Sequence, residues 1–162
     1  MSDCPMTLIG KKMLESELNQ LIKVDREYIK QAISEARELG DLKENAEYHA
    51  AKERQSIIEG RILDLQSKMA RARVIDTSSI QLAKVVFGAT VTFYDTQKDI
   101  TVTYQIVGED EADVKAGRIA ITAPIARALI GKEVGDTANV RTPKGGREYE
   151  VVQIKFQAVL YT

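Results

Sequence analysis

The chain has 162 residues and balances 23 Lys+Arg against 24 Asp+Glu, a formal charge of −1 at pH 7, with 44% hydrophobic and 29% charged residues. That length and apolar content suit one ordinary domain or two small ones and exclude wholesale disorder, while the near-zero charge argues against a general nucleic-acid binder and leaves room only for a local basic patch. No apolar run approaches the ~18 residues of a spanning helix, and Met1 to Met6 lack a basic region followed by an apolar one, so a cytoplasmic protein with no membrane association is expected.

The N-terminal 76 residues carry 13 of the basic and 14 of the acidic side chains. Within them Leu14, Leu18, Leu21, Tyr28, Ala32 and Leu39 recur at spacings that place one apolar stripe along a helix, and Ala51, Ile58, Ile62, Leu65, Met69 and Ala72 do the same. Helices are predicted over 12–39 and 43–74, each about 42–48 Å long at ~1.5 Å per residue. The joint Leu39-Gly40-Asp41-Leu42-Lys43-Glu44-Asn45 offers Gly40 to close the first helix and Asp41 to cap the second. So short a joint predicts an antiparallel hairpin whose helices bury their stripes against each other as a coiled coil, which also predicts a monomer.

Asp76 to Ser79 is polar and without apolar period, and a linker is expected over 77–84. Beyond it the period changes. Residues 84–94, 100–107, 138–142 and 149–157 are rich in β-branched and aromatic side chains and predict strands. Residues 122–131 predict a short helix with Pro124 just inside its start and Gly131 just past its end. Lys144-Gly145-Gly146 suggests a hairpin turn. The expected class is α+β: a hairpin domain over 1–76, then a small α+β domain over 85–162.

Candidate chemistry concentrates at the hairpin joint. Asp41 and Glu44 are spaced as a near capping box, satisfying free amides at a helix start. The same pair can serve a hard cation, since magnesium takes one or two carboxylates from a protein and completes its shell elsewhere. Arg37, Lys43, Lys52 and Arg54 are interspersed with Glu38, Glu47 and Glu53, which suits a solvated mixed-charge face or a partial cradle for phosphates. Tyr48 either stacks on a base or covers the hairpin seam, the latter being favoured. Cys4 and His49 are each single in the chain. This excludes an internal disulfide and a Cys/His zinc cage, and Cys-His or Ser-His-Asp chemistry unless His49 is the base. His49 has no partner suggested by spacing and is expected to be an ordinary helical residue.

Residues 35–49, Glu-Ala-Arg-Glu-Leu-Gly-Asp-Leu-Lys-Glu-Asn-Ala-Glu-Tyr-His, closely resemble the tip of bacterial transcript-cleavage factors of the Gre family, GreA type. Pro5-Met6-Thr7-Leu8, Val74-Ile75-Asp76, Phe87-Gly88-Ala89-Thr90-Val91, Ile106-Val107-Gly108 and residues 124–132 extend the resemblance in the same order along nearly the whole chain. Leu39 and Ala123 depart from it, the first standing where some relatives have His and the second where relatives often have Ser.

The resemblance implies a coiled-coil hairpin followed by a domain similar in fold to FK506-binding proteins. It implies an elongation factor that binds RNA polymerase in its secondary channel, the globular domain gripping the rim and the hairpin reaching in. Asp41 and Glu44 would help the polymerase active centre hold a shared Mg2+, incomplete as a site on this chain alone, and hydrolyse backtracked RNA. Arg37 and Lys52 would contact the extruded 3′ RNA. The polymerase, not this chain, would be the enzyme. Three other readings compete: a channel-binding inhibitor of the same build, an isomerase or chaperone module, and a purely structural coiled coil, which leaves the second domain and the tip unexplained. The inhibitor is disfavoured by a tip with only two carboxylates, and the isomerase by a chain whose phenylalanines are Phe87, Phe93 and Phe156 and which has no tryptophan.

Overall fold

A computed structural model describes residues 3–41, 45–77 and 82–156 of the chain. Leu42, Lys43 and Glu44 lie outside the described residues, as do residues 78–81 of the expected linker. Two compact units are present. The expected boundary near residue 76 is displaced: residues 12–72 form the first unit, and residues 3–11 join residues 73–156 in the second.

The first unit is helical. After strand β1 (Cys4–Thr7), which belongs to the second unit, α1 (Leu8–Gln20) passes through one π-helical turn (Leu21–Asp25) into α2 (Arg26–Arg37); α3 (Ala46–Ala70) follows. The predicted helices are therefore corrected at their ends. The first begins at Leu8, and the second stops at Ala70 because Ala72–Ile75, whose Val74 and Ile75 favour extended backbone, forms β2 and pairs with β1.

The π turn explains a second correction. In it the Arg26 amide donates to the Leu21 carbonyl, five residues back, so one extra residue enters the helix and its apolar stripe moves on by one position. Ile29 and Ile33 are buried one position beyond the predicted Tyr28 and Ala32, Ala36 continues their stripe three residues on, and Tyr28 and Leu39 are each 66% exposed. On α3, Ala51, Ile62 and Leu65 are buried as their spacing predicts. Ile29, Ile33 and Ala51 pack together with Ala32, Tyr48 and Ile58 around them. Contacts from Ala36 to Asn45 and from Arg26 to Glu59 set the two helices antiparallel. Two forked ion pairs cross between helices: Arg26 with Glu59 at 2.7 and 2.9 Å, and Arg61 with Glu17 at 2.9 Å through both nitrogens. The Arg26 guanidinium holds the Glu59 carboxyl below the usual carboxylate range.

The second unit is built on a five-stranded sheet in the order β5-β4-β3-β7-β6. Its strands are β3 (Ala89–Asp95), β4 (Ile100–Val107), β5 (Arg118–Ala120), β6 (Thr137–Thr142) and β7 (Gly145–Phe156). All pairings are antiparallel except β4 with β5. Strand β4 has the predicted bounds. Strand β3 starts later than predicted because Gly88, at φ +90°, turns the chain against Thr77. Thr77 is itself buried, so the segment expected to be a free linker is packed at this point. The predicted turn falls on Pro143 and Lys144, with Gly145 already in β7. Strands β1, β2 and β5 were not expected.

Period-2 alternation drives the packing: Ala89, Val91 and Phe93 are buried along β3 and are met by Ile106, Ile119, Val140, Tyr149 and Val151. Helix α4 (Pro124–Leu129) closes this core with Ala126 and Leu129, both fully buried. A carboxylate pins the N-terminal segment into the same unit. Glu111, 4% exposed, accepts from the Thr7 hydroxyl, from the Thr7 amide at 3.0 Å and from the Gly108 amide at 3.1 Å. Thr7 in turn caps α1 by accepting the Gly10 amide at 3.0 Å.

Candidate functional site

The hairpin joint is built by a tightened helix end, a glycine and one asparagine. Helix α2 stops with the Glu38 and Leu39 amides donating three residues back, to Glu35 at 3.2 Å and Ala36 at 3.1 Å. Gly40 follows at φ +119°, a conformation L side chains rarely adopt, with open space on its Cβ side. Asp41 comes next and is exposed. Leu39, Asp41, Asn45, Ala46 and Glu47 line one shallow concavity of about 400 Å³.

Asp41 is not the N-cap of α3, a correction to the sequence reading, while its spacing with Glu44 falls outside the described residues. The N-cap of α3 is Asn45, whose Oδ1 accepts the Tyr48 amide at 3.0 Å. Its Nδ2 also donates to the Ala36 carbonyl at 2.6 Å. The spacing argument missed this residue, although asparagine is among the best N-caps and Tyr48 stands at the position its side chain serves.

Tyr48 covers the seam, packing on Ile29, Ile33 and Ala51. Its ring also receives the Arg37 guanidinium, 5.8 Å from the centroid, and the edge of His49 at 5.6 Å. Lys52 lies one helical turn beyond Tyr48, on the same face of α3. It is exposed, with Nζ 3.4 Å from Gln55 Oε1. Two cations and an aromatic ring thus share the end of the hairpin that carries Asp41. Among the described residues no three His, Cys, Asp or Glu side chains group to hold a metal ion. The donor set here is carboxylate oxygen, which suits a hard cation sharing its shell with another molecule.

The second unit has a concavity of its own. A cavity of about 570 Å³ is lined by Phe93, Tyr104, Tyr149, Pro124 and Ile125 among others, with Asp95 and Arg147 at its polar side. Phe93 stands 4.9 Å from Tyr149 and 5.9 Å from Tyr104 between ring centroids. The aromatic cluster that counting phenylalanine and tryptophan failed to find is therefore present, supplied by tyrosines at inward strand positions. Buried Asp95 accepts the Gln97 and Lys98 amides at 3.0 and 3.2 Å and faces Arg147 Nη1 at 3.4 Å. Burial, reinforced by Asp95, pushes the Tyr149 phenol up.

Comparison with known proteins covers both units. Residues 4–74 match the family described as "Transcription elongation factor, N-terminal", and residues 80–156 match "Transcription elongation factor, GreA/GreB, C-term". Transcription elongation factor GreA of Halorhodospira halophila is 56% identical over 158 residues, 97% of this chain and 100% of that protein. The protein of that name from Hyphomonas neptunium is 58% identical over 157 residues, 97% of this chain and 100% of that one. Among solved structures, GreA factor homolog 1 of Thermus thermophilus is 28% identical with a TM-score of 0.44, covering 94% of this chain and 99% of that one.

Proposed function

Because the chain belongs to the GreA/GreB family of transcription elongation factors, we propose that it stimulates hydrolysis of backtracked RNA by RNA polymerase. In this reading the helical unit is a coiled-coil probe that enters the secondary channel. The α+β unit, similar in fold to FK506-binding proteins, docks at the channel rim. The observation that carries the proposal is the joint itself: exposed Asp41 beside Gly40, at the end of an antiparallel hairpin where Arg37 and Lys52 flank Tyr48.

Asp41 and Glu44 are the residues that would hold a magnesium ion jointly with the polymerase. When bound, that ion supplies Lewis-acid chemistry to phosphodiester hydrolysis. The chain's own contribution is charge and position. The carboxylates bring negative charge to a cation the polymerase holds, and Arg37 and Lys52 offer cations to the phosphates of the extruded 3′ end. Stacking on Tyr48 holds the Arg37 guanidinium at a defined place instead of leaving a long side chain to wander. The apolar cavity, which Pro124 helps to line, gives the second unit a surface able to take an apolar side chain of the polymerase.

The test is RNA cleavage in a defined backtracked complex with magnesium, comparing no factor, the native chain and Asp41→Ala or Glu44→Ala. Release of a 3′ fragment by the native chain is expected. Each variant is expected to lower the stimulated rate by roughly two orders of magnitude while still competing for polymerase. Cleavage undiminished in both variants would refute the metal-holding role. Slower extension with no cleavage would assign the chain to inhibition instead.

A further inference from the structure

We propose that Asn45 is a positioning residue for the tip carboxylate of Asp41, an inference that rests on the function proposed above. Its side chain acts in two directions at once. Oδ1 accepts the Tyr48 amide and starts α3, while Nδ2 reaches back 2.6 Å to the Ala36 carbonyl, in the last turn of α2. One side chain therefore joins the two helix ends between which Asp41 is carried.

The second of these bonds is more than the satisfaction of a loose carbonyl, because the Ala36 oxygen already accepts the Leu39 amide at 3.1 Å. What it adds is a tie across the joint. Residue choice supports this role. Asn, Asp and Ser all cap helices well, but Asp has no donor, and Ser has only a hydroxyl on a side chain one atom shorter. Asn alone of the three offers a cap oxygen and an amide donor on one planar group. A tie across the joint keeps Asp41 near one geometry, and a displacement of ~1 Å at a reacting site can cost on the order of a hundredfold in rate.

Asn45→Ser separates the two bonds, because serine keeps an oxygen for the Tyr48 amide and loses the donor to Ala36. In the backtracked complex, the maximal stimulated rate at saturating factor is expected to fall on the order of ten- to a hundredfold. The half-saturating factor concentration should stay at the native value. In NMR of the free native chain the Asn45 side-chain amide protons are expected to exchange slowly. In the variant the Tyr48 amide should stay protected while the signals of Leu39 to Asp41 broaden. A native maximal rate in the serine variant overturns the inference, as does fast exchange of the Asn45 amide protons in the native chain. Loss of activity through a raised half-saturating concentration, or with Tyr48 protection gone, overturns it in favour of a plain structural role. Absence of stimulation by the native chain overturns the proposed function itself, and the inference with it.

Discussion

Gly10 illustrates how far a single residue's meaning lies from its neighbours in sequence. A Cβ there would stand 2.2 Å from the Glu111 carboxyl carbon. That carboxylate cannot swing aside without giving up its donors from Thr7 and Gly108. Gly10→Ala is expected to destabilise the chain by about 1–3 kcal/mol, the range for overpacking a closed site, read as a lowered denaturant midpoint. The tip cations invite a test at the same scale. Arg37→Ala and Lys52→Ala each remove a candidate phosphate contact, so stimulated cleavage by either variant should vary less steeply with salt than native cleavage does. An unchanged salt slope in both would remove RNA contact from their roles. Gly40, Asp41 and the tip cations were legible as candidates because their residue types are chemically particular. Asn45 was overlooked because its second bond joins residues nine apart through a turn whose path the pattern does not specify.

At the scale of elements, the π turn over Leu21–Asp25 decides which side chains the hairpin buries. Deleting one residue from it, for example the half-exposed Val24, would restore an unbroken α-helical spacing from Leu21 to Ile29, Ile33 and Ala36. That deletion is expected to preserve helicity and leave the melting temperature near or above the native value. Deleting Lys30, where no π turn absorbs the change, would rotate Ile33 and Ala36 by about 100° relative to the stripe before them and should lower the melting temperature sharply. Circular dichroism melts of the two deletions make the comparison, and a Val24 deletion as harmful as that of Lys30 would refute the phase argument. The Arg26–Glu59 fork supplies a pH test. Glu59 has its folded-state pKa lowered, chiefly by the hydrogen bond from Arg26. The pair's contribution is therefore fully present above the ordinary carboxylate pKa and is lost as pH falls through the depressed value. Arg26→Gln should flatten that acid limb of the stability curve, and an unchanged limb would show that the pair contributes nothing measurable.

Over the whole molecule, the chain's beginning belongs to the unit formed by its second half. A chain starting at Lys12 would lose β1 and the two hydrogen bonds from Thr7 to Glu111, at a cost of about 1.5–3 kcal/mol for each hydrogen bond to the charged carboxylate. Its α+β unit is expected to unfold at lower denaturant than in the full chain, and an equal midpoint would show that the N-terminal segment is dispensable. The sequence by itself determined the two classes of structure, the hairpin, the place of β4 and α4, and the family. Those features rest on local periodicity, on glycine and proline, and on a tip motif of uncommon residues. Only the tertiary structure decided the seam, the helix ends, the cap and the partition into units. Each of these depends on what lies opposite: one extra residue in a π turn re-phases every later side chain, β2 exists because β1 is there to pair with it, and Thr7 and Gly10 matter because Glu111 folds back onto them. Such pairings cross as many as 104 residues, and a reading along the chain has no period with which to find them.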